Sequence, residues 1–469
     1  MGARRQVSPA RGCGCILRPG PAQSDSEMTG DVFYRDPTHA YPTGARGAGV
    51  CIYDSSGREY LDGSGGAAVS CLGHGNRRVI DAIKAQLDTL AFAHTAFFTS
   101  DVQEELASRL ARRFPEAGAK VYFVSGGSEA NEAAIKLARQ YWVARGQEQK
   151  TVFVSRMQSY HGNTLGALSL SGNPGRRQLY GPLLHDWPKI TACFEYRNRR
   201  ADETSADYAE RCAQELEQVI VKLGSANVAA FVAETVVGAT LGAAPAADGY
   251  FRRIRDICDR HGVLLILDEV MSGCGRTGTF YAFEQEGILP DIVTMAKGLG
   301  GGYQPIGATL ARGHIYTAIV EKHGEFAHGH TYVGHPAACA AGVAVQQELD
   351  EHGLLDNVRE VGGYLRDRLT DALAGNPHVG DIRGRGLFLG VELVVDRATR
   401  EAPRAELGLA KTIRLAAMTQ GLICYPAGGT ADGRNGVHVL LAPPFIYTRA
   451  NADELVERLA RTLADLRVT

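Results

Sequence analysis

A lysine and an aspartate, each at the exit of a predicted buried strand, are the residues of this chain best placed to do chemistry. Lys297 follows the short run 291–293 and precedes the glycine-rich stretch 298–302. Asp268 directly follows the five aliphatic residues 263–267. A lysine amine can condense with an aldehyde, and a poorly solvated carboxylate needs a cationic partner. Pyridoxal phosphate (PLP) offers both an aldehyde and a protonated pyridine nitrogen, so the pair predicts a PLP enzyme.

The elements that must position this pair are short apolar strands separated by helical stretches, over about residues 115–310. Continuously apolar strands alternating with helices are typical of a mainly parallel sheet covered by helices on both faces. The segment 129–141 predicts one of those helices, with its alanines and Leu137 on a single face. The predicted strands are 121–124, 152–154, 228–232, 263–267 and 292–293.

Polar groups follow five consecutive strands of this predicted sheet. In open α/β sheets, ligands bind beyond the carboxyl ends of the strands, so we expect these groups to converge on one ligand. They are the segment 125–128, the pair Tyr160 and His161, then Glu234, Asp268 and Lys297.

All of these groups except Glu234 also have a simpler interpretation, which for Lys297 is a solvated loop lysine. Gly127 and Ser128 could bind a phosphate at a helix N-terminus, or form a glycine turn with a serine N-cap. Tyr160 could stack on the pyridine ring or be a half-buried tyrosine at a strand end. His161 could contact the ring or have a structural role. Asp268 could instead pair with Arg276 in the following loop.

The C-terminal part of the chain has a different pattern, which predicts a smaller α+β domain. Helices are expected over 336–349 and 358–373, a strand pair over 386–393 and 438–441, and a last helix announced by Asn451 with Glu454 three residues later. A hairpin over 50–62 could join this domain. The predicted division is a disordered tail at 1–30, an N-terminal segment of the small domain at 31–85, a large domain at 86–335 and a small domain at 336–469.

The bulk composition is that of a globular protein. Its 469 residues are 45% apolar, and the net charge of −2 gives no reason to expect nucleic acid or a membrane as a partner. The ten cysteines are scattered, which favours a reduced, cytoplasmic compartment. His328, His330 and His335 lack a completing carboxylate or thiol, so no metal site is predicted. The first 27 residues are basic and contain prolines, and could be a transit peptide, a disordered tail or a stretch upstream of a true start at Met28.

At these residues the chain resembles the class III (ω-type) aminotransferases of the fold-type I PLP enzymes. The resemblance runs from Tyr34 to the C-terminus. It is most specific over 265–305, and 125–131, 160–162 and 330–336 agree with it. It implies a homodimer with shared active sites, since Thr331 would reach the phosphate of the neighbouring subunit.

The resemblance also implies roles for individual residues. Thr235 and Met271 depart from the family, which usually has Pro and often Gln there. Arg434 would be the mobile arginine that binds a carboxylate or swings away, although it could also be a solvated loop arginine. Phe97 would help to shape the substrate pocket. The implied cofactor contacts are Gly127 and Ser128 on the phosphate, Tyr160 and Val270 on opposite ring faces, Glu234 near the O3′ side, Asp268 on the pyridine nitrogen and Lys297 in a Schiff base.

The predicted activity is a ping-pong transamination through Lys297. An ω-amino acid or primary amine would donate the amino group, and pyruvate or 2-oxoglutarate would accept it. Two alternatives stay open: a decarboxylase, racemase or lyase on the same fold and cofactor, and a non-catalytic ligand-binding protein.

Overall fold

The computed structural model describes residues 31–468, so the predicted tail over 1–30 lies outside the described residues. Of the described residues, 31–44 form one unit and 45–468 form another. In the first unit, a turn is held by the Asp36 carboxylate, which accepts from the Thr38 amide at 3.1 Å and hydroxyl at 2.7 Å.

The strands are short, as expected for a protein in which strands and helices alternate. They are β1 (Gly44–Ala48), β2 (Cys51–Asp54), β3 (Glu59–Asp62), β4 (Lys120–Val124), β5 (Val152–Arg156), β6 (Lys189–Ile190), β7 (Val228–Glu234), β8 (Val236–Val237), β9 (Ala244–Pro245), β10 (Leu264–Asp268), β11 (Ile292–Met295), β12 (Gly307–Ala311), β13 (Val379–Arg385), β14 (Phe388–Leu393), β15 (Leu422–Ile423), β16 (Tyr425–Gly428) and β17 (Val437–Leu441).

The helices range from single turns to 20 residues. They are α1 (Gly65–Ala68), α2 (Arg77–Thr89), α3 (Asp101–Arg113), α4 (Gly127–Ala144), α5 (Leu165–Leu170), α6 (Pro174–Arg177), α7 (Glu195–Asn198), α8 (Ser205–Leu223), α9 (Tyr250–His261), α10 (Gly313–His323), α11 (Pro336–Glu351), α12 (Leu354–Leu373), α13 (Leu409–Thr419) and α14 (Arg449–Ala464). In the part of the chain that the structure describes, no helix combines the length and the apolar character that crossing a bilayer requires.

The central sheet has seven strands in the order β4-β12-β11-β10-β7-β5-β6. The neighbours from β11 to β6 pair in parallel, which confirms the prediction of a mainly parallel sheet. Strand β12 was not predicted. It runs antiparallel to both β11 and β4, so β4 points the same way as the parallel strands.

Helices cover both faces of the central sheet, which explains why its strands are apolar throughout. Successive side chains of a strand point to opposite faces. Accordingly, Leu264 and Ile266 of β10 pack in one core with α4, whereas Leu265 and Leu267 pack in another with α8 and α9. All five residues of β10 are buried.

The C-terminal elements match the predicted helices and strand pair, with one correction. Strands β13, β14, β17 and β16 form a separate antiparallel sheet, and β3 of the predicted hairpin pairs with β15. The last helix begins earlier than predicted, because Thr448 caps it and exchanges hydrogen bonds with Asn451. The prediction of Asn451 as the cap with Glu454 was therefore wrong. The domain boundaries at 85/86 and 335/336 stay predictions.

Candidate active site

The predicted reactive residues lie at one edge of the central sheet. Asp268 ends β10 and is paired with Glu234 at the end of β7. On its other side, Asp268 is paired with Thr294 of β11, and Lys297 follows that strand by two residues. The carboxyl ends of parallel strands thus bring both carboxylates and the amine to the same place.

Asp268 is buried and held by three hydrogen bonds. Its Oδ2 atom accepts from the Asn131 side chain at 3.0 Å and from Nδ1 of His161 at 2.9 Å. Its Oδ1 atom accepts from the Val270 amide at 3.0 Å. A carboxylate offers about four lone-pair positions, so one remains for a further donor. The arrangement holds the carboxylate in a fixed orientation.

The alternative interpretation of Asp268, a salt bridge to Arg276, is wrong. The Arg276 guanidinium is buried elsewhere and donates to the backbone carbonyls of Leu387 and Pro443. Within residues 31–468, no arginine or lysine forms a salt bridge with Asp268, and the His161 imidazole that contacts it is cationic only when protonated.

His161 contacts the carboxylate. Because the Asp268 oxygen can only accept, the proton of the imidazole is assigned to Nδ1. The Nε2 atom is buried and has no hydrogen-bond partner within residues 31–468. This geometry supports the structural interpretation of His161, as the group that orients Asp268.

Lys297 is half-buried at the start of a short 3-10 helix and has a left-handed backbone conformation, with φ of 47°. Desolvation by burial lowers the pKa of its amine to about 8. The carboxylates of Asp268 and Glu234 oppose this shift, and the positive charge of Arg176 adds to it. Lys297 makes no ion pair within the described residues, so the neutral, nucleophilic form of the amine is accessible near neutral pH.

Glu234 and Tyr160 are linked. The Glu234 carboxylate accepts from the amides of Tyr160 at 3.0 Å and Gly238 at 2.9 Å, and burial raises its pKa. One face of the Tyr160 ring carries the guanidinium of Arg176, whose central carbon is 4.2 Å from the ring centroid. A ligand that stacks on Tyr160 would therefore have to use the opposite face of the ring.

The start of α4 can bind an anion. Its N-cap residue, Gly126, has no side chain to satisfy the first amides of the helix. A Cβ atom on Gly127 would lie 2.7 Å from Cγ1 of Val270, so this position requires glycine. Ser128 is not the N-cap of the alternative interpretation; it lies inside the helix, and its hydroxyl accepts from the Asn163 amide at 2.9 Å.

These residues fit PLP in three independent ways. The uncapped helix start suits the phosphate, and the remaining lone pair of Asp268 suits a protonated ring nitrogen. The amine of Lys297 can be neutral, as attack on an aldehyde requires.

The predicted substrate residues are more dispersed. Arg434 lines a cavity of about 740 Å³ beside Tyr160's partner Arg176, but its guanidinium is paired with Glu406 at 2.7 Å, and both side chains are largely exposed. Phe97 does not line this cavity and is 80% exposed. Thr331 lies in an exposed turn.

Two residues of the site had no predicted role, Asn131 and Arg176. Asn131 lies among buried alanines on the inner face of α4, and a polar residue on an apolar helical face is a signal that the sequence does contain. Arg176 follows Asn173, Pro174 and Gly175, a composition that indicates only a loop.

The two departures from the family have local structural explanations. The Thr235 hydroxyl donates to the buried Glu269 carboxylate at 2.9 Å, a bond that proline could not make. Met271 packs against Gly238, where a Cβ atom would lie 2.4 Å from its sulfur. It therefore fills space and provides no hydrogen bond toward a cofactor.

Comparisons with known proteins agree with this geometry. The family model for class III aminotransferases matches residues 34–463. An uncharacterised aminotransferase of Schizosaccharomyces pombe is 45% identical, covering 93% of this chain and 96% of its own. The (S)-enantioselective omega-transaminase of Thermomicrobium roseum superposes with a TM-score of 0.84 at 38% identity, covering 91% and 92% of the two chains. A PLP-bound amine transaminase of an uncultivated Pseudomonas species gives 0.86 at 35% identity, covering 93% and 99%.

Proposed function

Because the chain belongs to the class III aminotransferases, and is therefore a PLP-dependent transaminase of fold type I, we propose that Lys297 and Asp268 carry its reaction. The observation that supports this most strongly is the contrast between them at one sheet edge. Asp268 is a carboxylate fixed by three donors, and Lys297 is an amine with a pKa of about 8.

PLP, when bound, supplies an electron-accepting ring and an aldehyde. The chain's own residues position it and move protons. The Asp268 carboxylate would keep the ring nitrogen protonated, and His161 and Asn131 hold that carboxylate in orientation. The neutral Nζ of Lys297 would take a proton from the substrate carbon, as a general base, and then deliver it as a general acid to the carbon that was the cofactor's aldehyde carbon.

The other cofactor contacts are proposals of the same kind. Gly127 and Ser128 would hold the phosphate at the start of α4, where the backbone amides are free. Tyr160 and Val270 would enclose the ring from its two faces. Glu234 would lie on the O3′ side, and its hydrogen bond to the Tyr160 amide fixes that loop.

For the substrates, we propose an ω-amino acid or a primary amine as donor and pyruvate or 2-oxoglutarate as acceptor. The names of the two solved relatives, an omega-transaminase and an amine transaminase, support such donors. Membership in an aminotransferase family supports amino transfer over decarboxylase, racemase or lyase chemistry, and over a non-catalytic role.

We also propose that the chain forms a cytoplasmic homodimer with shared active sites. Large apolar side chains lie exposed in the single chain, which a partner subunit would cover. Thr331 lies in an exposed turn from which it could reach the phosphate of that partner. The eight cysteines in the described residues are free thiols, which suits a reducing compartment. The exposed apolar side chains include Phe97, Phe98, Leu179 and Tyr332.

Replacing the lysine tests the proposed function. We expect Lys297→Ala to lose amino transfer by at least about a thousandfold, because the nucleophile and the proton carrier are one group. The visible absorption of lysine-bound cofactor should disappear with it. Lys222→Ala, at an exposed position of α8, is the matched control and should behave as the parent. Full turnover in Lys297→Ala with an unchanged spectrum would refute the assignment.

A further inference from the structure

The cavity beside Tyr160 has a composition suited to an anion. Its walls come from residues 173–176 with Gln178, from Ala239 and Thr240, and from residues 427–429 with Gly433 and Arg434. Two of its lining residues are arginines and none is acidic. Its volume of about 740 Å³ is ample for a small oxo acid.

We infer that Arg176, together with the Thr240 hydroxyl, binds the carboxylate of the amino-acid or oxo-acid substrate. This inference rests on the proposed function, since it assigns a substrate group to the same site. A guanidinium can donate two parallel hydrogen bonds to a carboxylate, and a hydroxyl can add a third.

The Arg176 charge is not met by the protein. Within residues 31–468 its guanidinium makes no ion pair and no hydrogen bond, and its contact is with the face of the Tyr160 ring at 4.2 Å. A cation–π contact compensates such a charge only weakly and leaves all five N–H donors available. The guanidinium is therefore oriented by Tyr160 and still able to take an anion.

The Thr240 hydroxyl is an independent sign of a missing ligand. Its side chain is 1% exposed and lines the cavity, yet its oxygen has no hydrogen-bond partner in the described part of the chain. An unsatisfied buried hydroxyl is destabilising, and a bound carboxylate would satisfy it.

Arg434 is the competing arginine of the same cavity, but its charge is already met. It forms a 2.7 Å ion pair with Glu406 at the surface, where its side chain is 74% exposed. Binding substrate there would require this pair to break, whereas Arg176 needs no rearrangement.

Arg176 is linked to the reactive residues through Tyr160, whose amide donates to Glu234, the neighbour of Asp268 across the sheet. Its positive charge acts on Lys297, where it lowers the pKa of the amine. A carboxylate bound by Arg176 would therefore lie within electrostatic reach of that amine. The bound carboxylate would also offset the positive charge of Arg176, and with it the effect of that charge on the Lys297 amine.

Carboxylate binding to the loaded enzyme tests the inference without turnover. Acetate and glutarate are the probes, and the change in bound-cofactor absorption measures their affinity. We expect Arg176→Gln to weaken both by about 10- to 100-fold, Arg176→Lys to recover part of the loss, and Thr240→Val to weaken them by several-fold. Arg434→Gln should change them by less than about twofold.

Steady-state kinetics supply the second readout. In Arg176→Gln the KM for pyruvate and 2-oxoglutarate should rise by the same factor with kcat little changed, while a primary amine without a carboxylate keeps its KM. A loss confined to Arg434→Gln would overturn the inference, and so would an equal loss for the neutral amine. A third result is that neither the parent protein nor any variant transfers amino groups, while Arg176→Gln still weakens glutarate binding. That result would refute the proposed function and leave the carboxylate site supported.

Discussion

Asp268 and Arg176 belong to the same candidate site, but they differ in the hydrogen bonds that the protein makes to them. The two oxygens of Asp268 accept three hydrogen bonds from Asn131, His161 and the Val270 amide. Within residues 31–468, the Arg176 guanidinium contacts only the face of the Tyr160 ring. The Asp268 end of the site is thus preorganised by hydrogen bonds, whereas the Arg176 end still has free hydrogen-bond donors.

This difference separates two tasks. The cofactor is the same in every turnover, so a rigid, fully bonded carboxylate can serve it without reorganisation. Substrates enter and leave in each half-reaction, so their binding group must be able to gain and lose its partner. Substitutions at Asp268 and at Arg176 should therefore have different effects on turnover and on substrate binding.

The largest effect on turnover is expected at the Asp268 end of the site. Asp268→Asn should lower kcat by at least about a hundredfold, because a neutral amide cannot hold the ring nitrogen protonated. Carboxylate affinity at Arg176 should change little. Asp248→Asn, at an exposed position before α9, is the control. A variant at Asp268 that stays within twofold of the parent in kcat would show that the bonded carboxylate is structural only.

A smaller effect is expected where the helix start meets Val270. Gly127→Ala places a Cβ atom 2.7 Å from Cγ1 of Val270 and should weaken PLP binding on the order of tenfold, since overpacking costs about 1–3 kcal/mol. Equilibrium dialysis of PLP measures it. Gly363→Ala, in the middle of α12 with open space around it, should leave affinity unchanged and stabilise the helix slightly. Equal affinities for both variants would contradict the predicted phosphate site.

The smallest effect is expected on the pH dependence of PLP attachment to Lys297. Arg176 and Asp268 shift this pH dependence in opposite directions. Only the neutral amine attacks an aldehyde, so PLP attachment to cofactor-free protein should speed up with pH and level off near pH 8, the pKa of Lys297. Arg176→Gln removes a charge that lowers this pKa, so its plateau should move to higher pH. Asp268→Asn removes a charge that raises it, so its plateau should move lower. Stopped-flow absorption measures the rates, and shifts in the same direction would contradict the geometry.

The sequence predicted the site best where buried strands appear as runs of apolar residues. Asp268 and Lys297 follow aliphatic runs, so their convergence at one sheet edge could be predicted from strand direction alone. Strand β12 could not, because its sequence Gly-Ala-Thr-Leu-Ala has little intrinsic preference for a strand and is held by pairing on both sides.

Contacts between distant segments left no trace in the sequence. Arg176 belongs to a loop-like segment, and its position over Tyr160 depends on how that segment folds back. The first residue of α14 could not be predicted from the sequence either. Thr448 and Asn451 both suit an N-cap, and Asn451 with Glu454 has the same spacing as Thr448 with Asn451. Local spacing alone therefore does not decide which of the two begins the helix.

The backward-running strand β12 also sets the width of the catalytic cleft. It lies between β4 and β11, so the strand leading to the glycine turn and the strand leading to the lysine are two spacings apart. At about 4.8 Å per spacing, that gap is roughly 10 Å, enough for one substituted aromatic ring. Anyone transplanting this chemistry onto another scaffold would therefore have to copy the spacer strand along with the reactive side chains.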